Sequence, residues 1–153
     1  MTLKHQFLIV WLISLYLSGC VIVETKLKRE EFQIFDGDTL KVAYQVEIAE
    51  SNSARKRGLM YRKSMASNQG MLLDYKRPAN MAIWMKNTYI PLDIIFIDIN
   101  GVILKIHERA VPHSTKRIES DSRVRAVLEV NAGQIAEFDI KPGDQVRHPS
   151  FVQ

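Results

Sequence analysis

The chain nearly lacks cysteine: among 153 residues only Cys20 carries a thiol. No internal disulfide can form, so stability must come from a packed core. Histidine is also scarce, and His107, His113 and His148 fall in no metal-ligand spacing, which reads them as surface or turn residues. No Gly-x-Ser-x-Gly elbow, His-Glu-x-x-His helix or phosphate-cradling glycine loop is present. Nothing therefore calls for a cofactor. Charge of one sign forms no long stripe: the 21 Lys and Arg are interleaved with 17 Asp and Glu, giving a formal +4. Without a basic stripe, nucleic acid is not an expected partner. There is no repeat or low-complexity segment, and 46% hydrophobic with 25% charged residues excludes wholesale disorder. The length suits one domain.

One apolar run stands out. After Lys4 and His5, residues 7–17 (FLIVWLISLYL) have the length of a secretory h-region and fall short of a membrane span of about 20 residues. The run ends in Leu17-Ser18-Gly19-Cys20, which resembles the lipobox of bacterial lipoproteins. The expectation is a cleaved signal peptide over 1–19, a lipidated Cys20, a tether over 20–31 and one β-rich domain over 32–153. Two or three acyl chains would hold the chain firmly on a membrane, at about 0.8 kcal/mol per buried methylene. Val21 stands where enterobacterial lipoproteins retained in the inner membrane carry aspartate. In a cell with two membranes, that favours the outer membrane, facing the periplasm.

Beyond the tether, strand signals dominate. Residues 32–35 and 39–42 flank Asp36-Gly37-Asp38, a hairpin turn by composition. Ser51 and Asn52 are helix caps before a short helix over 54–60 that Gly58 ends. Residues 71–73 and 82–85 read as strands separated by Pro78. Asn100-Gly101 between apolar runs at 94–99 and 102–106 predicts a type I′ hairpin. Residues 125–130 read as a further strand, 132–138 as a second short helix, and Pro142-Gly143-Asp144 as a turn before a strand at 145–148. Short strands joined by turns predict a mainly β fold, an antiparallel sandwich or barrel with one or two short helices.

Several segments look familiar in their order and spacing. They are Gly58-Leu59-Met60-Tyr61-Arg62, Gly70-Met71-Leu72, Trp84-Met85-Lys86-Asn87-Thr88, Ile90-Pro91-Leu92-Asp93-Ile94, Val127-Leu128-Glu129-Val130 with Ala132-Gly133, and Pro142-Gly143-Asp144. Over residues 44–147 the chain resembles the domain of unknown function 192 family. Leu73 departs from that pattern, which usually has phenylalanine after Gly-Met-Leu. The resemblance implies a compact, mainly β sandwich of jelly-roll-like topology, often exported, and brings no established activity.

The candidate ligand-binding residues are Trp84, Lys86, Asn87, Thr88 and Asp93, with Arg57 and Glu129. On an extended segment Trp84 and Lys86 share one face while Met85 points to the other. An indole face beside an amine, an amide, a hydroxyl and a carboxylate suits a sugar or other small polar ligand. The competing reading is structural: Trp84 fills the core, Asn87 and Thr88 hold a turn, and Asp93 pairs with Lys86 or Arg57. A Lys86–Asp93 or Asp93–Glu129 pair could move protons, so an envelope enzyme is the alternative function. Met60, Met71, Met81 and Met85 could hold Cu(I), with a histidine assisting, although methionine is also a common core filler. The expectation is a lipid-anchored binding or accessory module for a small polar or carbohydrate-like ligand or an envelope partner.

Overall fold

The computed structural model describes residues 26–151. The expected signal peptide and Cys20 lie outside them. Seven strands form one curled mixed sheet: β1 (Arg29–Asp36), β2 (Thr39–Ala49), β3 (Gln69–Ile83), β4 (Leu92–Ile97), β5 (Ile103–Ala110), β6 (Ile118–Asn131) and β7 (Gln145–Arg147). Their spatial order is β5-β4-β6-β3-β2-β1-β7. Two short helices, α1 (Asn52–Arg57) and α2 (Gln134–Glu137), complete the fold. Among the described residues no helix is long and apolar enough to cross a membrane.

Mainly β with two short helices agrees with the sequence reading; uniform antiparallel pairing does not. β2 and β3 run parallel, with Val46 opposite Gly70 and Ile48 opposite Leu72. Parallel neighbours need a crossover, and α1 with the loop after it supplies one. Nor are there two stacked sheets. The single sheet curls until its edge strands meet, where Val102 bridges to Gln145 and Ile103 N–H donates to the Asp144 carbonyl at 2.9 Å.

Local chemistry explains most element ends. Gly37, at φ +55, turns β1 into β2. The Ser51 hydroxyl accepts from Ala54 N–H at 3.1 Å and caps α1. At the other end, Gly58 N–H donates to the Ala54 carbonyl with φ +48 and ψ −135. β1 begins at Arg29, inside the segment read as tether. β3 continues through Pro78 where a break was expected. Its ladder to β6 shifts register between Asp74 and Ala79, so proline sits in a bulge that asks no N–H of it. The turn between β4 and β5 is not type I′, because Gly101 (φ +80) has positive φ and Asn100 does not. Instead the Asp98 carboxylate accepts from both Asn100 and Val102 N–H at 2.8 Å and closes a longer loop.

Side-chain alternation gives the sheet two buried faces. On β4, Ile95 and Ile97 join one cluster with Phe32, Tyr44, Leu72 and Ile135, while Ile94 and Phe96 join another with Leu59, Met71, Met85 and Val127. That explains why β4 is buried along its whole length. The second cluster lies under α1 and the loops after α1 and β3. The candidate site opens there.

Candidate functional site

β6 breaks its own pattern on the second face. Val127 is followed two residues later by Glu129, an acid where alternation calls for an apolar side chain. Glu129 pairs with Met71 of β3 on one side and Ile94 of β4 on the other. It is 5% exposed, and its Oε2 has no hydrogen-bond partner. Burial pushes its carboxyl up to about 7, against which the Arg62 guanidinium pulls down.

The other buried acids differ. Glu47 takes two hydrogen bonds from Arg62, at 3.0 and 2.5 Å, and one from Arg29 at 2.9 Å. Asp74 meets Arg125 at 3.3 Å and accepts from Lys76 N–H at 2.7 Å. Asp144 receives Lys41 at 2.9 Å and the Lys141 N–H at 2.9 Å. Asp93 is fully buried and accepts from the backbone N–H groups of Arg109 (2.8 Å), Gly133 (2.9 Å) and Ile135 (2.9 Å). Buried carboxylates without such partners are costly, which sets Glu129 apart.

Glu129 lines a cavity of about 340 Å³. Gly58, at the end of α1, adjoins it in the lining: a Cβ there would lie 3.5 Å from Oε2. Arg57, Trp84, Thr88 and Met60 share the lining with Arg55, Lys56, Leu59 and Tyr75. The Arg55 guanidinium lies 4.8 Å from the Tyr75 ring centre and donates to the Asp74 carbonyl at 3.0 Å, which fixes one wall. Trp84 is 48% exposed, so it does not fill the core. Trp84 and Lys86 are exposed and Met85 between them is buried, as alternation requires, and the Lys86 ammonium lies 5.4 Å from the indole centre.

The remaining candidates separate. Asn87 holds a turn: at φ +58 it donates through Nδ2 to the Tyr61 hydroxyl at 2.9 Å, and its carbonyl accepts from Tyr61 N–H at 2.8 Å. Thr88 is buried at the cavity wall. Asp93 is tied to backbone donors from β5 and α2, so the expected pairing with Lys86, Arg57 or Glu129 is replaced by a structural anchor. Met71 and Met85 are buried in the second cluster, Met81 packs against it, and Met60 faces the cavity. Met71 and Met85 thus sit in the core, with Met60 at its boundary. His148, expected at the surface or in a turn, heads a turn in which its carbonyl accepts from Phe151 N–H, but it is not at the surface. It is buried, its Nε2 lies 3.0 Å from Glu30, its Nδ1 accepts from Ser150 N–H, and burial lowers its pKa.

Sequence reasoning missed Arg55, Lys56, Leu59 and Tyr75 as lining residues. The two basic ones adjoin Arg57 on the same helix, a signal that was available. Tyr75 reaches the cavity through a strand whose course past Pro78 was not foreseen.

The chain matches the DUF192 family, described as an uncharacterized ACR, over residues 33–148. It belongs to that family. A solved protein of Sinorhizobium meliloti 1021, whose description suggests a transcription regulator, is 40% identical and superposes with a TM-score of 0.80 over 83% of this chain and 98% of its own. A second solved structure, a protein of unknown function from Novosphingobium aromaticivorans DSM 12444, is 31% identical, with a TM-score of 0.76 over 80% of this chain and 86% of its own. No curated protein matches.

Proposed function

We propose that this DUF192 chain is an exported binding module, lipid-anchored through Cys20, that takes a small polar or carbohydrate-like ligand in the cavity between α1 and Trp84. The observation that carries the reading is the buried Glu129 carboxyl, whose Oε2 has no hydrogen-bond partner, in a cavity also lined by a half-exposed indole. An orphaned polar group beside an aromatic face is what a ligand pocket offers before it is filled. The curled sheet, read as jelly-roll-like, adds an analogy with lectin-type sites. An envelope enzyme is the second reading, favoured by a buried acid whose pKa is raised to about 7, near the value a general acid or base needs. A regulator of transcription, as suggested for the Sinorhizobium protein, draws less support, since Lys41, Arg62, Lys105 and Arg125 are engaged with carboxylates.

In a chain processed at Cys20, Trp84 is the only tryptophan and serves as its own reporter. Titrating a library of sugars and small polar metabolites against its fluorescence should yield a saturable change that Glu129→Ala abolishes. No change across the library would overturn the binding reading. Mass spectrometry of the mature N-terminus tests the anchor: Cys20 should be first and acylated, and Cys20→Ser should leave the precursor uncleaved.

A further inference from the structure

Three loops meet beside the second cluster: residues 58–68 after α1, 84–91 after β3 and 111–117 after β5. Backbone hydrogen bonds tie them together. Tyr61 N–H donates to the Asn87 carbonyl at 2.8 Å, His113 N–H to the Thr88 carbonyl at 3.1 Å, and Met85 N–H to the Ser114 carbonyl at 2.9 Å. Among the described residues seven large apolar side chains are exposed, and four of them, Tyr61, Trp84, Tyr89 and Val111, stand on these loops. The Tyr61 and Tyr89 rings lie 6.4 Å apart, and Tyr89 lies 5.0 Å from the His113 ring. They form one aromatic rim. Tyr61 and His113 hold it at φ +67 and +61, a conformation such residues keep only where their surroundings impose it.

The three loops contain five Lys or Arg and no Asp or Glu. Arg62 is taken by Glu47, and Arg117 lies 3.4 Å from Glu119 of β6, but Lys63, Lys86 and Lys116 are exposed. The chain leading back to Cys20 enters the domain at the same place. Glu47 accepts from Arg29, at the start of β1, at 2.9 Å and from Arg62, the neighbour of Tyr61, at 2.5 Å, while Leu27 packs against the second cluster. Leu27 is seven residues past Cys20, a stretch that spans at most about 25 Å even when fully extended. A lipid on Cys20 thus keeps this side of the domain close to the bilayer. Leu40, beside the far end of β1, lies another eight-residue strand away, at about 3.3 Å per residue.

We infer that this rim seats the domain on an anionic lipid surface, with Tyr61, Tyr89 and Val111 at headgroup depth and Lys63, Lys86 and Lys116 against the phosphates. This goes beyond the cavity reading and rests on the Cys20 anchor proposed with it. Tyrosine presents an apolar ring and a polar hydroxyl, which suits the depth where headgroups meet acyl chains. Lysines beside such rings are drawn to an anionic surface and stay in water above a zwitterionic one. The anchor supplies nearness, and the rim fixes which side of the domain faces the lipid.

The test uses the full chain as the cell processes it, reconstituted on vesicles rich in phosphatidylglycerol or made of phosphatidylcholine alone. With Cys20 acylated, Val111→Cys offers a single thiol at the rim for an environment-sensitive dye, and Leu40→Cys offers one at the far end of β1. On phosphatidylglycerol the Val111 dye should shift to the blue and become about threefold or more less accessible to acrylamide, as a group at interfacial depth does. The Leu40 dye should do neither. On phosphatidylcholine both dyes should stay exposed. About 1 M salt, where the screening length falls to about 3 Å, should release the rim and keep the anchor. Lys63→Glu with Lys86→Glu should release it too, whereas Lys63→Arg with Lys86→Arg should keep it in place. Flotation of the unlabelled chain separates the two claims. Chains that float with both lipids while the Val111 dye stays exposed on phosphatidylglycerol overturn this inference and leave the anchor standing. Flotation with phosphatidylglycerol alone, with the Val111 dye shielded, overturns the anchor and keeps the rim. Flotation with neither overturns both. A blue shift equal in the two lipids, or one that grows with the number of chains per vesicle, would put a neutral surface or a second copy on the rim and overturn the inference.

Discussion

Gly58 adjoins Glu129 in the cavity wall: a Cβ on the glycine would lie 3.5 Å from the unpartnered Oε2. That distance is ordinary contact, so crowding is not what requires glycine. The backbone is, since φ +48 with ψ −135 lies where side chains are rarely tolerated. Gly58→Ala should cost about 1–3 kcal/mol, read as a lower urea midpoint. An unchanged midpoint would mean that the helix end relaxes freely.

Glu129 should make stability fall as pH rises. Burial lifts its pKa from 4.5 to about 7, so between those values the folded chain holds a proton the unfolded chain has released. The stability is fully present below the unfolded value and is lost as pH climbs through the folded one. At about 1.4 kcal/mol per unit, about 3 kcal/mol separates the two ends. Glu129→Gln should remove this slope and stabilise the chain above about pH 7. Denaturant midpoints from acid to mildly alkaline pH check it, and parallel profiles for both proteins would contradict the raised pKa.

Asp93→Asn should destabilise without touching the cavity. One carboxylate oxygen serves Arg109 N–H and the other serves Gly133 and Ile135 N–H, so an amide group must turn a donor toward at least one of them. Leaving a buried donor unsatisfied costs about 1–3 kcal/mol, more beside a lost charge. Thermal melts should show that loss, while ligand affinity of the folded fraction stays unchanged.

Gly101→Val should be worse tolerated than the turn alone implies. Besides φ +80, a Cβ there would lie 3.1 Å from both the Val146 carbonyl oxygen and its Cγ2. Strain and overpacking together predict about 2–5 kcal/mol. A stability loss under about 0.5 kcal/mol would show that the sheet edges can separate there.

What could be read from sequence was local. Asp36-Gly37-Asp38, the Ser51 cap, the Gly58 stop and Pro142-Gly143-Asp144 each act on neighbours within a few residues, and each stands where turn chemistry placed it. Period-2 alternation likewise put Trp84 and Lys86 on one face. Partner choice was not legible. The parallel pairing of β2 with β3 depends on which strand comes alongside after α1, and the donors to Asp93 lie 16, 40 and 42 residues away. Glu129 entered the candidate set through its family segment. That every other buried acid would be paired and this one left alone emerges only when the strands are laid side by side.

The join between Val102 and Gln145 bears on how copies of the chain behave when crowded. An open sheet offers two unpaired backbone ladders, each a template for another molecule's strand and so a start for fibrous growth. Here the beginning of β5 and the end strand β7 occupy each other's hydrogen-bonding groups, through Ile103 with Asp144 and Val146 with Gly101. Farther along β5 the ladder carries Lys105, Glu108 and Arg109, and the last adopts φ +51, which bends the strand out of line. Neighbouring copies therefore meet charged, twisted backbone where a straight apolar edge would invite them to stack.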